Sequence, residues 1–286
     1  MKTVGFIGLG VMGELMAANL AAAGFSVQSY DLKKTGNRKS AREAAEGADV
    51  LITMLPDGDA VREAVLDALP GLRSGAIVVD MSSADPAGTR ALGHALSKNG
   101  IHMADAPVSG ARFKAKDGTL AIMVGGEKAI VESVMPVLRK LGTEIFHVGP
   151  LGAGHAVKAL NNYLGAAGTL AAFEALLVAQ AFGLDPKPIL EAINASTGRN
   201  SSTVRKIPQD VLTGAFASGF KLALMTKDVG IAAELARGLK VKAPFLKETL
   251  KHWRAAQKEL PREADHTEIY KYQRKLSGKR SLLKRR

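Results

Sequence analysis

"VGFIGLGVMGELMAANL", residues 4–20, is the stretch whose reading decides the fold. An apolar run ends in Gly8, Gly10 and Gly13 at the spacing G-x-G-x-x-G, and a helical pattern opens at the third glycine. In a strand-turn-helix unit each glycine does something different. The first lets the chain turn tightly, the second lets the backbone approach a pyrophosphate, and the third lets the helix pack closely on the strand. The helix N-terminus then presents free N–H groups and the positive end of its dipole to the phosphates. Leu9, Val11 and Met12 are expected to line a dinucleotide together with the three glycines. The rival reading is a glycine-rich turn that holds no ligand.

Asp31 closes the next apolar run. A carboxylate there accepts hydrogen bonds from a ribose 2′-hydroxyl and repels a 2′-phosphate, so NAD is expected ahead of NADP. Lys33 and Lys34 are the groups that would hold a 2′-phosphate if the loop turned them inward.

Working outward, "KTVGFIG", "FSVQSYD", "DVLITML", "GAIVVDM", "GIHMADA", "GTLAIMVGG" and "TEIFHVG" read as strands, separated by segments with the 3.6-residue spacing of helices. Alternation of this kind predicts a doubly wound α/β sheet with parallel βαβ winding. One element is short: residues 31–48 leave room for a loop and one helix, where the strand order 3-2-1-4-5-6 needs a helix and a third strand. The third strand is expected to be missing and the second to become an edge, with Lys33, Lys34, Arg38 and Lys39 discouraging further pairing.

Beyond about residue 150 the strands stop. Residues 154–182 form one apolar, alanine-rich helical pattern closed by Gly183, and Asp185-Pro186 reads as the cap and first residue of the next helix. The expected organisation is a cofactor domain over 1–153, an all-helical domain for substrate and oligomerisation over 154–270, and a basic tail over 271–286. Within the long helix, Lys158 and Asn162 stand four residues apart and share a face. A charge and an amide on one face of an apolar helix suggest a site.

The 286 residues contain no cysteine, which excludes disulfides, thiolate metal sites and cysteine nucleophiles together. Net charge is +12, but eight of the 39 Lys and Arg and none of the 27 Asp and Glu fall in residues 271–286, so the remainder carries only +4. Such a run is more often a solvated terminus than a nucleic-acid reader. The early lysine and Ala/Gly content superficially suggest a secretion signal, yet Glu14 interrupts the apolar stretch. No run is read as the roughly 18 to 20 apolar residues of a membrane span. A cytoplasmic protein is expected, and six scattered histidines suggest no metal site.

Several separated motifs resemble the β-hydroxyacid dehydrogenases, a family that includes 3-hydroxyisobutyrate, tartronate semialdehyde and threonate dehydrogenases. They are "GFIGLGVMGELMAANL", "DAPVSGARFKAKDGTLAIMVGG", "GAGHAVKALNN", "KDVGIAAELA" and "ADHTEIYKY", and the likeness covers roughly residues 2–270. The resemblance implies a Rossmann-type domain followed by an all-α domain, and hydride transfer between NAD and a small anionic 3-hydroxy acid. It implies that Lys158 moves the substrate proton, a role favoured for a lysine in apolar surroundings, where the ammonium is disfavoured. It further implies that Asn162 orients the substrate, that Ser109 and Gly110 anchor its carboxylate, and that Lys227 reaches over cofactor and substrate. Leu55, Pro56 and Ser83 resemble positions lining the cofactor. Asp228 is expected to pair or cap locally, and His266, beside Asp265 in the C-terminal motif, to help pack that segment against a neighbour. Ala111 stands where the family more often has glycine. His155 is a polar residue at the helix start and a rival proton carrier. A homodimer or homotetramer is expected, since long apolar helices of a small domain tend to find a partner. Two other readings remain: an imine reductase on the same architecture, and a non-catalytic scaffold holding nucleic acid through its tail.

Overall fold

The computed structural model describes residues 2–278 and divides into two compact units, Met1–Lys158 and Ala159–Arg286. In the first unit the chain runs β1 (Thr3–Ile7), α1 (Gly13–Ala22), β2 (Ser26–Tyr30), α2 (Ala41–Ala45), β3 (Val50–Thr53), α3 (Gly58–Ala68), β4 (Ile77–Asp80), α4 (Pro86–Ser97) and β5 (His102–Asp105). It continues through β6 (Val108–Ser109), α5 (Ala111–Asp117), β7 (Leu120–Gly125), α6 (Lys128–Leu138) and β8 (Gly142–Gly149). The sheet order is β2-β1-β3-β4-β5-β7-β6, with β8 beside β7.

Period-2 alternation sends successive residues of each central strand to opposite faces. Val50 and Ile52 of β3, with Ile77 and Val79 of β4, join Met16, Leu20, Val131 and Val134 in one core. Leu51 and Val78 join Val61, Val65, Leu92 and Leu96 in the other. Both faces are therefore covered by helices, which is why β3 and β4 read as unbroken apolar runs.

Among the described residues the third strand is missing, and β2 pairs with β1 alone. Its free edge is closed by a side chain: the Ser29 N–H donates to Asn37 Oδ1 at 2.7 Å, and Asn37 Nδ2 donates to the Val27 carbonyl at 2.8 Å. The Arg38 N–H adds a bond to the Ser29 carbonyl at 3.0 Å. One amide thus mimics a strand residue where charge alone was expected to protect the edge.

The parallel winding expected throughout stops at β5. β7 runs antiparallel to both β5 and β6, and β8 is parallel to β7. The two-residue β6 carries the chain past the end of β5, and α5, seven residues and about 10 Å long, is too short to return it to the far end of the sheet for a parallel start.

α7 (Ala153–Phe182) begins in the first unit and runs on through the second. Gly183 at φ +97° ends it, with Gly183 and Leu184 N–H groups bonded to the Gln180 and Ala179 carbonyls, so orphan acceptors of the last turn are satisfied. Asp185 caps α8 (Pro186–Asn194) as expected, accepting the Lys187 N–H. A π-helical stretch (Ser202–Val211), α9 (Leu222–Gly238), α10 (Pro244–Glu259) and α11 (Ile269–Leu276) complete the unit. By length and composition α7 is apolar enough to cross a membrane, contrary to the sequence reading. Its Ala166 and Phe173 are fully buried, and Phe173 meets Tyr270 edge-on at 5.5 Å in the core of the second unit.

Residues 271–276, expected in the basic tail, belong to α11, where Tyr272 and Gln273 are buried. Ser277 and Gly278 follow it, and residues 279–286 of that tail lie outside the described residues. Before α11, Asp265 forms a capping box with Glu268 and accepts from Ser218 Oγ at 2.8 Å. His266 is buried, its Nδ1 lies 3.1 Å from the Phe220 carbonyl, and its ring stacks on Trp253. Here it packs residues of its own unit. Burial, helped by the nearby Lys206 ammonium, pushes the His266 imidazole down to about 4.

Between that value and the ordinary histidine value near 6.5 the unfolded chain binds a proton that the folded chain refuses. Stability should therefore fall as pH drops from about 6.5 to about 4, by at most about 3 kcal/mol from this residue. Urea unfolding across that window should show the decline in the wild type and a shallower one in His266→Asn. Equal slopes would remove His266 as the cause.

Candidate active site

The carboxyl ends of the parallel strands stand level, because Ile7, Thr53, Asp80 and Asp105 are successive register partners across β1, β3, β4 and β5. Loops leaving this edge form the crevice in which open α/β sheets bind ligands. The loop after β1 behaves as its glycines predict. Gly8 adopts φ +101°, and a methyl group there would overlap the Met54 carbonyl. A methyl at Gly13 would overlap the Gly8 carbonyl, whereas one at Gly10 would meet nothing within 4 Å. The backbone is thus crowded where helix meets strand and open where a pyrophosphate would lie. Leu9 is buried, Met12 is half-buried and Val11 is exposed. These residues fit a dinucleotide.

Asp31, just after β2, ties the loop in place. Its Oδ2 accepts the Leu9 N–H at 2.7 Å, and Oδ1 accepts those of Lys33 and Lys34 at 2.7 and 2.9 Å. Burial raises its carboxyl, but the three N–H donors outweigh that and hold it below the usual carboxylate range. Lys34, one of the two candidate 2′-phosphate ligands, is paired with Glu14 at 2.5 Å. Leu55 and Pro56 follow β3, with the Leu55 N–H donating to Ser82 Oγ at 2.9 Å, and Ser83 lies between β4 and Asp85, the cap of α4. Ser109 ends β6 half-buried, and Gly110 follows at φ +142°.

Asp105, fully buried at the end of β5, receives the start of α7. Its Oδ1 accepts the Gly152 N–H at 2.6 Å and its Oδ2 the His155 N–H at 2.7 Å. Carboxylate meets the positive end of the helix. The approach requires Gly125 and Gly154, since a methyl at either would crowd the Asp105 carboxylate. His155 and Lys158 follow in the first turns of α7, 1% and 9% exposed.

Asn162, one turn beyond Lys158 on the same helix, is also buried. Its Nδ2 donates to Asp228 Oδ2 at 2.5 Å, and its Oδ1 accepts from Asn161 at 3.1 Å. The other Asp228 oxygen lies 3.4 Å from Lys227 Nζ, so one carboxylate on α9 holds both the amide and the ammonium. Asp228 pairs locally with Lys227, as expected, and in addition holds Asn162. Asp80 and Asp105 were missed. The signal was present, because an acid closing an apolar strand must find donors once buried. Among the described residues no three His, Asp or Glu side chains are grouped to hold a metal ion.

Residues 3–149 match the family model for the NAD-binding domain of 6-phosphogluconate dehydrogenase. Residues 152–273 match that for the NAD-binding domain of NADP-dependent 3-hydroxyisobutyrate dehydrogenase. The chain is 36% identical to 2-(hydroxymethyl)glutarate dehydrogenase of Eubacterium barkeri over 85% of each chain. It is also 36% identical to the NAD-dependent L-serine dehydrogenase of Pseudomonas aeruginosa, over 95% of this chain and 97% of the relative. Among solved structures, Mycobacterium tuberculosis 3-hydroxyisobutyrate dehydrogenase with L-serine superposes with a TM-score of 0.90 at 32% identity, covering 96% of this chain and 99% of the other.

Ala111 has φ +57°, the left-handed region that an L side chain occupies at a cost of about 1–2 kcal/mol. This accounts physically for glycine as the residue that suits the position. Ala111→Gly should leave the fold intact and raise stability by up to about 1 kcal/mol, the relief of strain being partly offset by chain entropy. Ala111→Val should lower it. Denaturant titration of both variants checks the sign, and a glycine variant less stable than wild type would contradict the argument.

Proposed function

The chain belongs to the β-hydroxyacid dehydrogenase family, and from that premise we propose that it reversibly oxidises a small 3-hydroxy acid, with Lys158 as the proton carrier. It is an NAD-dependent oxidoreductase acting on CH–OH groups. The observation carrying the proposal is the buried Lys158 one turn before Asn162, whose amide is held by Asp228.

Hydroxymethylglutarate, serine and 3-hydroxyisobutyrate, the compounds naming the relatives, all place a CH2OH group two carbons from a carboxylate. The substrate class proposed is therefore a 2-substituted 3-hydroxypropionate, and the product is the corresponding aldehyde acid. NAD, when bound, supplies the hydride acceptor. The backbone from Gly8 to Gly13 would hold its phosphates and Asp31 its ribose, while Leu55, Pro56, Ser83 and Lys227 would line the rest. An uncharged Lys158 amine accepts the proton of the substrate hydroxyl, and in the reverse direction its ammonium returns that proton to the alkoxide. Asn162 orients the hydroxyl. Ser109 and the N–H groups around Gly110 bind the carboxylate, and the Lys227 ammonium favours an anionic substrate. The enzyme is proposed to act in the cytoplasm as a homo-oligomer, supported by the exposed Leu164, Val178 and Phe182 of α7.

Initial rates of NAD reduction with 3-hydroxyisobutyrate, serine, threonate and glycerate should identify a 3-hydroxy acid that turns over. Lys158→Ala should reduce kcat by about 10²- to 10⁴-fold, the range for loss of general acid-base catalysis. NADP should serve less well than NAD. Turnover of cyclic imines with no hydroxy acid oxidised would favour the imine reductase reading instead.

A further inference from the structure

His155 is buried among groups from three other elements, and the mechanism leaves it without a task. Its Nδ1 lies 2.8 Å from Thr89 Oγ1 on α4. Thr89 Oγ1 also donates to the Asp85 carbonyl at 3.0 Å, so the hydroxyl ties the ring to the start of α4. Nε2 faces Asp80 Oδ2 at the end of β4, 3.6 Å away. Asp80 is itself held from behind, with Thr53 Oγ1 donating to its Oδ1 at 2.9 Å and the Ser82 N–H at 3.0 Å. Asp105 lies 3.7 Å from Nδ1 and accepts the backbone N–H of the same histidine. Asp105 therefore holds the backbone at the start of α7, while the ring of His155 reaches across to α4 and β4. Lys158 is three residues on, on the adjoining face, and its direction follows from the rotation of that helix turn.

We propose that His155 is a positioning residue for the reaction: its ring, wedged between Thr89 and Asp80, sets the rotation of the first turn of α7 and so aims the Lys158 amine. The inference rests on the reading of Lys158 as proton carrier. A misplacement near 1 Å at a reacting group is enough to cost about 10²-fold in rate, so loss of the wedge acts on turnover without acting on NAD binding. The role also accounts for histidine: a planar ring with a nitrogen on each edge spans from α4 to β4, which an aliphatic side chain of the same volume does as bulk only.

The test compares kcat, and KM for NAD, in His155→Ala, His155→Asn, Thr89→Val and Lys158→Ala. Asparagine places an amide, able to donate or accept, near the Nδ1 position and cannot exchange protons in the working pH range. His155→Ala and Thr89→Val should each lower kcat at least tenfold with KM for NAD within about twofold, and His155→Asn should recover most of the loss. Recovery by asparagine also excludes His155 as a proton carrier. If His155→Ala keeps kcat within twofold while Lys158→Ala abolishes turnover, the positioning inference is overturned and the Lys158 reading stands. If His155→Asn is as slow as His155→Ala, bulk rather than the Thr89 bond is at work, and the inference is again overturned. Wild-type turnover in Lys158→Ala removes the underlying reading and the inference with it. Should His155→Ala fail to fold, Thr89→Val, near-isosteric with threonine, decides by the same thresholds.

Discussion

A buried carboxylate at the end of a strand, Asp105, is the constraint on which the first unit depends. It has no solvent exposure, so in isolation it would be among the most costly groups in the molecule. It is affordable there because the first N–H groups of a 30-residue helix arrive on both of its oxygens. The two needs cancel: the helix start requires an acceptor, and the acid requires donors. Gly125 and Gly154 follow from that contact, since nothing larger lets strand and helix come so close.

The same solution is used at two other strand ends. Asp31 collects three N–H groups and thereby shapes the glycine loop. Asp80 takes one N–H and one hydroxyl on a single oxygen and turns the other toward His155. Because the ends of β1, β3, β4 and β5 are level, these acids act along a single edge, bracing the glycine loop, the Ser82 turn and the start of α7. In the second unit Asp228 plays the corresponding part for Asn162 and Lys227. Asn162 and Lys227, two of the groups proposed to meet the substrate, are thus oriented by a carboxylate that does not itself react.

Much of this was legible in the residues. Seven strands, the missing third strand, the long helix and its glycine stop follow from periodicity and turn chemistry, which are local. What was not legible is pairing. The two-residue β6 is too short to carry a pattern, and the reversal of β7 depends on how far α5 can carry the chain. Asn37 gives no sign in sequence that it will substitute for a strand, because its partners on β2 lie eight and ten residues away. Lys158, Asn162, Ser109 and Lys227 are named through motifs, whereas Asp80 and Asp105 stand inside strand patterns in which nothing local names their donors. Trp253 and Phe220 meet His266 within its own unit, a contact that nothing local in the sequence shows. The apolar length of α7 was underestimated because alanine and glycine dilute it by eye while leaving it hydrophobic in sum.

The account stands or falls on the Asp105 contact, and site-resolved hydrogen exchange of wild type beside Asp105→Asn reads it directly. Asparagine keeps the shape but offers one acceptor oxygen in place of two. The account predicts that the Gly152 and His155 amides are protected in the wild type, and that exchange in the variant accelerates over residues 152–160 while the half of α7 from residue 165 onward is unchanged. Equal protection of residues 152–160 in the two proteins would contradict it, because the start of the helix would then be held by something other than this carboxylate.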